Sequence, residues 1–301
     1  MTAPSALKDA FAPVVSIYEP AADGHFLVEL LQEDWGMFNT DRIELQAARG
    51  LLSDVLENGQ IVRERFGLSP RYPNAGLHLL WERLRVELVS TNRYFPDASF
   101  DKERLGELLT HLIAEGVPTT WYRARLQSGN IVYPIGQMGA PPSGFASHGR
   151  ANPPGIPYLY LGSTHETAIA EIRPHTGELA SVADFQLNAG LHLVDLRDPR
   201  RLVSPFVFGD EDQIAALRSD VPFIERLGEE LTQPVLPHRA AIDYVPSQYL
   251  CEFIKKLGYH GVIYRSSVSD GMNLALFDPT KATAGAVMQR KVLRVSVTIA
   301  T

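Results

Sequence analysis

The sequence predicts an α+β protein in which a helical amino-terminal part precedes a mixed region of strands and helices. Up to about residue 117, apolar residues recur at helical spacing. Beyond Pro118, short alternating or apolar runs typical of strands are separated by Gly- and Pro-rich segments. Mixed short strands with few helices are typical of the α+β class. We therefore expect a helical domain at residues 1–117 and an α+β domain at residues 118–301.

Four helices are expected in the amino-terminal part. The first starts at Phe26, and the second follows Asp41 and Glu44, which stand at capping-box spacing. The apolar stripes of the other two cover residues 77–89 and 101–115. Because this part contains no recognisable catalytic motif, we interpret it as a packing or partner-binding module.

Strands and helices follow one another in the carboxy-terminal part. Strands are predicted at residues 121–126, 158–161, 181–187, 191–196, 261–266, 273–277 and 293–299. Helices are predicted at residues 164–173, 211–218 and 223–231 and after Ser247. The Asn188–Gly190 segment is a hairpin-type signal, so its two flanking strands are expected to pair. The Gly- and Pro-rich segment at residues 134–157 is long enough to indicate either a functional loop or disorder.

The helix predicted at residues 164–173 has clear start and stop signals. Ser163 and Glu166 stand at capping-box spacing before it, and a proline follows it. Glu171 falls in the last turn, where the helix macrodipole disfavours a carboxylate. A residue in a position that costs stability is a functional candidate; the alternative is a solvated Glu171 paired with Arg173.

Composition and charge limit the classes of function. A net charge of -7 and a pI near 5.7 argue against a nucleic-acid binder or an anionic-membrane binder, because both need a basic face. The single cysteine, Cys251, fits a reducing compartment and is more simply a packed thiol than a nucleophile. No run is long enough to span a bilayer, and the start of the chain lacks a signal peptide. We expect a cytoplasmic protein.

The remaining candidates are arginines, tyrosines and one glutamate around a flexible loop. The nine histidines show no ligand spacing, so no metal site is expected. The guanidinium group of arginine can donate two parallel hydrogen bonds to a phosphate, and an aromatic ring can stack on a flat heterocycle. A carboxylate can stabilise a positive charge that develops during a reaction. A dinucleotide offers all three features, and cleavage of its N-glycosidic bond passes through an oxocarbenium-like species.

Several separated segments, in matching order, resemble the RES domain family, named for recurring Arg, Glu and Ser. They are Arg123, GRANPPGIPYLYL, TAIAEIRP, VPSQYL, GVIYRSS and GMNLALFDP. The resemblance covers about residues 119–280. It implies a fold related to the diphtheria-toxin-like ADP-ribosyltransferases and NAD as the substrate. Residues 1–117 resemble the amino-terminal accessory domain of longer members.

The resemblance also implies roles for individual residues. Arg123 and Arg150 would hold the pyrophosphate or the nicotinamide ribose. Tyr160 would stack on or orient the nicotinamide side, and Tyr158, on the same side of the strand, could exchange roles with it. Glu171 would hydrogen-bond the ribose and stabilise its cationic carbon. The structural alternatives are a surface ion pair for Arg123 and core filling for Tyr160.

The family serine is less sharply identified. Ser247 is the first choice, as a residue that orients Glu171 or a substrate hydroxyl, although it is also an ordinary helix N-cap. Ser266 and Ser267 are the alternatives. Asn152 and Asn273 are further polar candidates near the nucleotide. One departure from the family is Ala151, which stands where small toxin members often have a bulky aromatic residue.

The expected function is therefore cleavage of NAD at the nicotinamide bond, as a glycohydrolase or phosphorylase acting as a toxin or defence effector. One alternative is an ADP-ribosyltransferase that modifies a protein or a small acceptor. Another is a non-catalytic module that binds nucleotide or a partner. The resemblance leaves room for an antitoxin or another regulatory protein as partner, and for a homo-oligomer. Nucleic acid and membrane are not expected partners.

Overall fold

A computed structural model describes residues 3–39, 41–72, 76–98 and 101–296. It confirms the mixed α+β class. The chain forms two compact units that alternate along the sequence. Unit 1 comprises Met1–Arg83, Ala98–Asp101 and Asp198–Arg226, and unit 2 comprises Leu84–Asp97, Lys102–Arg197 and Leu227–Thr301. The division into domains at residues 117 and 118 stays a prediction.

Unit 1 combines helices with a small sheet. It contains α1 (Lys8–Ser16), β1 (Tyr18–Phe26), α2 (Leu27–Trp35), α3 (Leu45–Leu56) and β2 (Arg65–Leu68). The antiparallel pair β1–β2 was not predicted, because this part of the chain was expected to be helical. β1 gives little strand signal because most of its side chains are exposed or half-exposed and show no alternation of apolar and polar residues.

The helix predictions in the first part of the chain hold in type, with shifted ends. α3 begins after Glu44, which makes no side-chain cap, so the predicted capping box with Asp41 is wrong. α4 (Leu77–Ser90) agrees with its prediction and has residues in both units. α5 (Lys102–Thr110) ends early, because the following residues pair with a strand: Ile113 forms a bridge with Val194.

Unit 2 is built on a seven-stranded sheet. Its strands are β3 (Thr120–Leu126), β4 (Leu159–Gly162), β5 (Leu179–Leu187), β6 (Leu193–Asp195), β7 (Gly261–Arg265), β8 (Met272–Leu276) and β9 (Ala282–Lys291). Their order in the sheet is β6-β7-β8-β4-β3-β5-β9. The β6–β7 pair is parallel and the other named pairs are antiparallel.

Two strand predictions are wrong in their pairing or position. β5 and β6 are not a hairpin, because β5 pairs with β3 and β9 whereas β6 pairs with β7. The edge strand predicted at residues 293–299 is absent from residues 293–296, and residues 297–299 lie outside the described part of the chain. The edge position is occupied instead by β9, which lies earlier in the sequence.

The helices of the second half are α6 (His165–Glu171), α7 (Pro199–Leu202), α8 (Glu211–Thr232), α9 (Ala240–Asp243) and α10 (Val245–Lys256). α8 replaces the two predicted helices and continues through Pro222, because a buried apolar stripe runs along its whole length. Ser247 is not an N-cap: it lies inside α10, fully buried. No described helix is long and apolar enough to cross a membrane.

The two faces of the sheet in unit 2 pack against different groups of apolar residues. The larger cluster includes Trp121, Leu159, Leu161, Phe185, Leu193, Ile263, Leu274 and Leu276. On the other face, α6 covers a smaller cluster through Ala168, which packs with Ala124 and Val182. α6 approaches β4 closely: a Cβ on Gly162 would lie 2.6 Å from the backbone nitrogen of Ala168. Glycine at this position therefore permits the contact between helix and strand.

Candidate active site

A cavity of about 440 Å³ opens where β3 and β4 separate. These neighbouring strands share a single residue pair, Tyr122 opposite Gly162, whereas β3 and β5 share seven. Beyond that pair, Arg123 of β3 and Tyr160 of β4 both line the cavity. Its volume lies within the range of pockets that hold small molecules. The gap in the sheet thus exposes strand residues that would otherwise be covered.

Arg123 brings an uncompensated positive charge to this cavity. Its Nη1 atom is buried and has no hydrogen-bond partner among the described residues. Burial, and next the neighbouring Arg125 guanidinium, lower the pKa of Arg123 to about 10. The guanidinium therefore remains charged at neutral pH. A half-buried cation with unused donors is a suitable site for an anion.

The backbone turn at residues 149–152 forms another wall, and the side chain of Tyr160 holds it. The Tyr160 hydroxyl accepts hydrogen bonds from the backbone N–H groups of Ala151 at 2.9 Å and Asn152 at 3.2 Å. It donates to Asn152 Oδ1 at 2.7 Å. Burial is the main cause that raises the pKa of Tyr160, so the hydroxyl keeps its proton and can donate. The hydroxyl is fully engaged by the turn, while the ring lines the cavity.

The amino-terminal end of α10 holds the same turn from the other side. Ser247 Oγ donates to the carbonyl oxygen of Arg150 at 2.6 Å and also lies 3.0 Å from Tyr244 O. Gln248 Nε2 donates to the carbonyl oxygen of Gly149 at 2.8 Å. Since its backbone groups are satisfied by three different side chains, the turn has a fixed conformation before any ligand arrives.

Arg150 points from this turn into the cavity and has partners of its own. Its Nη1 donates to the carbonyl oxygen of Gln233 at 2.6 Å, and its guanidinium carbon lies 5.1 Å from the centre of the Tyr244 ring. Neither partner is an acid, so the positive charge of Arg150 is not neutralised by these contacts. It adds to the charge of Arg123 at the same cavity.

Glu171 lies at the end of α6 and lines the cavity with its carboxylate exposed. Oε1 accepts hydrogen bonds from Ser266 Oγ at 2.7 Å and from Asn273 Nδ2 at 2.6 Å. Oε2 has no hydrogen-bond partner among the described residues, and no ion pair joins Glu171 to Arg173. The structure therefore does not contain the ion pair between Glu171 and Arg173 that the sequence offered as the alternative.

The start of α6 differs from its prediction. Thr164, not Ser163, is the N-cap, and its Oγ1 accepts a hydrogen bond from the backbone N–H of Thr167 at 3.1 Å. Ser163 instead accepts a hydrogen bond from the backbone N–H of Met272, at the start of β8. The capping-box spacing with Glu166 was thus a misleading signal, because a tertiary contact uses the serine.

The structure brings six of the ten candidate residues named from the sequence to the cavity: Arg123, Arg150, Tyr160, Glu171, Ser267 and Asn273. The other four, Ser247, Ser266, Asn152 and Tyr158, do not line it. Ser247 supports the turn from behind, and Asn152 is buried with its amide nitrogen near three carbonyl oxygens of the loop. Tyr158 is buried, with its ring packed against Phe277 and beneath the ammonium of Lys255.

Other cavity residues were missed in the sequence. They include Tyr122, His148, Tyr244 and Tyr264. Tyr122 directly precedes Arg123, and β3 and β4 separate at Tyr122, so both faces of β3 contribute to the wall. Nothing local to Tyr244 or Tyr264 signals such a position. Among the described residues, no group of three His, Cys, Asp or Glu side chains could hold a metal ion.

This arrangement combines cationic side chains for an anion, tyrosine rings for a flat group and one carboxylate for a developing positive charge.

Residues 120–297 match the RES domain. A solved structure is also similar: the crystal structure of the M. tuberculosis MbcT–MbcA toxin–antitoxin complex. It shares 14% identity over 63% of this chain and 93% of that chain, with a TM-score of 0.36. No curated protein matches this chain.

Proposed function

The chain belongs to the RES domain family, and with this membership as the starting point we propose that it is an NAD-consuming enzyme. The proposed reaction is cleavage of the N-glycosidic bond between nicotinamide and ribose. Water or inorganic phosphate is the acceptor, giving ADP-ribose or its phosphorylated form. A toxin or defence role, with an antitoxin or another protein as regulator, fits this reaction because depletion of NAD stops growth.

The observation that carries the proposal is the pairing of opposite charges at one cavity. Arg123 has an unused donor, Nη1, and no acidic partner among the described residues, which suits the pyrophosphate of a dinucleotide. Glu171 lines the same cavity with one carboxylate oxygen unoccupied. A single anion-binding site would not need a carboxylate, which repels phosphate. The combination therefore favours a substrate that is anionic at one end and becomes cationic at the other.

In the proposed reaction, the bond between ribose C1′ and the pyridinium nitrogen breaks, and its electron pair leaves with neutral nicotinamide. The positive charge that remains is shared by C1′ and the ring oxygen of the ribose. Glu171 Oε2 stabilises this charge more strongly in the transition state than in bound NAD, which is the requirement for catalysis. An acceptor oxygen then attacks C1′ and loses its proton to solvent. Arg123 and Arg150 hold the pyrophosphate throughout.

The test compares Glu171→Gln with a control, Glu166→Gln. The control makes the same substitution at another glutamate of α6 that does not line the cavity. Nicotinamide release from NAD is followed by chromatography with wild type and both variants. We expect a loss of about 10²–10³-fold in kcat for Glu171→Gln, as for other groups that stabilise transition-state charge, and less than about twofold for Glu166→Gln. Equal rates in all three proteins would refute the proposal.

Product analysis by mass spectrometry, with and without phosphate, identifies the acceptor. ADP-ribose indicates hydrolysis, and its phosphorylated form indicates phosphorolysis. Glu171 is exposed at the end of α6, so an acceptor can reach the ribose from solvent. ADP-ribosyl transfer is therefore the alternative, and a stoichiometric ADP-ribose adduct on a protein or small acceptor would favour it over NAD degradation.

A further inference from the structure

The proposed reaction leaves one proton to be taken up. When a water oxygen attacks C1′, the C1′–O bond forms as the C1′–N bond breaks, and the oxygen must lose a proton to give ADP-ribose. A side chain that accepts this proton during the attack lowers the barrier. We infer that His148 is this general base, with water as the acceptor, an assignment that rests on the proposed NAD cleavage.

The imidazole of His148 lines the cavity and is free to react. Its side chain is exposed, and it has no hydrogen-bond or ionic partner among the described residues. Imidazole is the side-chain group that both takes up and releases a proton near neutral pH. Because the ring is open to solvent, the proton that it accepts passes on to bulk water and the neutral base is regenerated.

Although the ring is free, the backbone on both sides of it is fixed. The N–H of Gly149 donates to the carbonyl oxygen of Asn152 at 3.0 Å, and the carbonyl oxygen of Gly149 accepts from Gln248 Nε2 at 2.8 Å. On the other side, the carbonyl oxygen of Ser147 accepts from Asn152 Nδ2 at 2.9 Å. The position of the imidazole is therefore set by rotation of its own side chain alone, which favours a defined geometry of attack.

The turn that follows His148 connects it with the substrate. Arg150 lies two residues further along the chain, lines the same cavity and holds the pyrophosphate in the proposed complex. The nicotinamide ribose attached to that pyrophosphate then occupies a space lined by both Glu171 and His148. These two residues belong to different elements, α6 and the loop before β4. One can therefore stabilise the ribose cation while the other activates the attacking water.

The other cavity side chains are unsuitable as the base. Glu171 Oε1 accepts two hydrogen bonds, and Oε2 faces the positive charge that develops on the ribose in the proposed reaction. Phenol and guanidinium groups are not bases near neutral pH, which excludes the tyrosines and arginines. Burial raises the pKa of Tyr160 and of Tyr264, so neither supplies a phenolate. Among the described residues that line the cavity, His148 is the side chain that remains for this proton.

The test compares two nucleophiles, water and azide, in a buffer without phosphate. Azide is an anion that forms a bond to C1′ without losing a proton, so it needs no base, whereas water does. Without azide, His148→Ala should lower kcat for nicotinamide release about 10²-fold, with KM changed less than about threefold. With azide, the ratio of azide adduct to ADP-ribose should be about 10²-fold higher for His148→Ala than for wild type.

Imidazole added to the solution supplies a second readout. It should raise nicotinamide release by His148→Ala at least about tenfold, because it replaces the missing base, and should leave wild type unchanged. His175→Ala is the matched control: His175 is also exposed, lies shortly after Glu171 in the sequence and does not line the cavity. Its kcat and its product ratio should equal those of wild type.

The outcomes separate this role from the proposed function. If wild type releases no nicotinamide from NAD, the proposed function fails and the role of His148 fails with it. If wild type cleaves NAD but His148→Ala keeps the wild-type product ratio, the general-base role is overturned and the proposed function stands. Equal losses with water and with azide are such a case, and they would mean that His148 supports the turn rather than the proton transfer.

Discussion

The hydroxyl of Tyr160 and the side chain of Asn152 form a hydrogen bond of 2.7 Å that closes the turn carrying Arg150. The same hydroxyl accepts two backbone N–H groups of that turn. Tyr160 was expected from the family resemblance to contact nicotinamide. Its hydroxyl is instead committed to the protein, which leaves only its ring for the substrate.

Tyr160→Phe should therefore destabilise the turn and weaken NAD binding. The substitution leaves the backbone N–H groups of Ala151 and Asn152 without their acceptor, which costs about 1–3 kcal/mol of unfolding free energy. Thermal or chemical unfolding measures the loss, and calorimetry measures the affinity for NAD.

Tyr158→Phe is the matched control. The Tyr158 hydroxyl is buried without a hydrogen-bond partner among the described residues. Its removal should leave the unfolding free energy unchanged or slightly higher, and NAD affinity unchanged. Equal losses in the two tyrosine variants would contradict this assignment of the turn to Tyr160.

Gly149→Ala should distort the turn through a steric clash. An added Cβ would collide with Asn152 Oδ1 and the Tyr160 hydroxyl, the two groups that close the turn. Because Arg150 follows directly, we expect NAD affinity to fall about 10-fold or more. Gly139→Ala, in the same long loop with nothing within 4 Å of its added Cβ, should bind NAD as wild type does. Unaltered binding by Gly149→Ala would mean that the turn does not set the position of Arg150.

Arg123→Met should make the unliganded protein more stable and the NAD complex weaker. The substitution removes a half-buried charge that has no acidic partner in the described part of the chain, a gain of about 1–2 kcal/mol once solvent screening is allowed for. Loss of a charge that binds a phosphate in a desolvated site should weaken NAD binding at least about 30-fold. Unfolding and calorimetric titrations on one preparation measure both effects.

Arg125→Met provides the comparison. Arg125 lies on the same strand, does not line the cavity, and donates to the carbonyl oxygen of Gly139 at 3.2 Å. NAD affinity should stay within about threefold of wild type. If Arg123→Met keeps its affinity for NAD, the pyrophosphate does not bind at Arg123.

Alkaline pH should weaken NAD binding in a way that depends on Arg123. Its pKa is lowered to about 10, so the cation that binds phosphate is present below that pH and is lost as the pH rises through it. Relative to pH 8, the dissociation constant should rise about twofold by pH 10 and about fourfold by pH 10.5. Calorimetry between pH 8 and 10.5 tests this, and Arg123→Met should show no such rise.

The folded fraction must be followed in the same experiment. Burial raises the pKa of Tyr160 and Tyr264. Their protonated forms stabilise the folded state fully below the unfolded value of about 10, and this contribution is lost progressively as the pH rises above it. Circular dichroism at each pH separates loss of binding from unfolding. A dissociation constant that stays flat while the protein remains folded would contradict the assignment to Arg123.

Local signals in the sequence were sufficient for several elements. An apolar stripe with a period near 3.6 residues gave α4, and alternation gave β3 with both arginines on one face. The glutamate at a helix end was found because a carboxylate in the last turn of a helix is a local signal, whereas Arg123 and Arg150 were implied by the family resemblance. These residues, Arg123, Arg150 and Glu171, do line one cavity.

Contacts between distant segments were decided only by the tertiary structure. Ser266 and Asn273 reach Glu171 from 95 and 102 residues away in the sequence, and no local pattern at either position signals this. The hairpin expected between β5 and β6 does not form, because both strands find other partners in the sheet. β3 and β4 share only the pair Tyr122 and Gly162, and neither strand carries a local signal for this separation.

The sequence by itself thus determined the fold class, the main helices and strands, and the residue types capable of the chemistry. The tertiary structure decided which serine contacts the carboxylate, which tyrosine holds the turn, and where the sheet opens. The physical reason is that propensity and periodicity act over one or two turns or strands. Hydrogen bonds between remote segments form only after packing has brought those segments together.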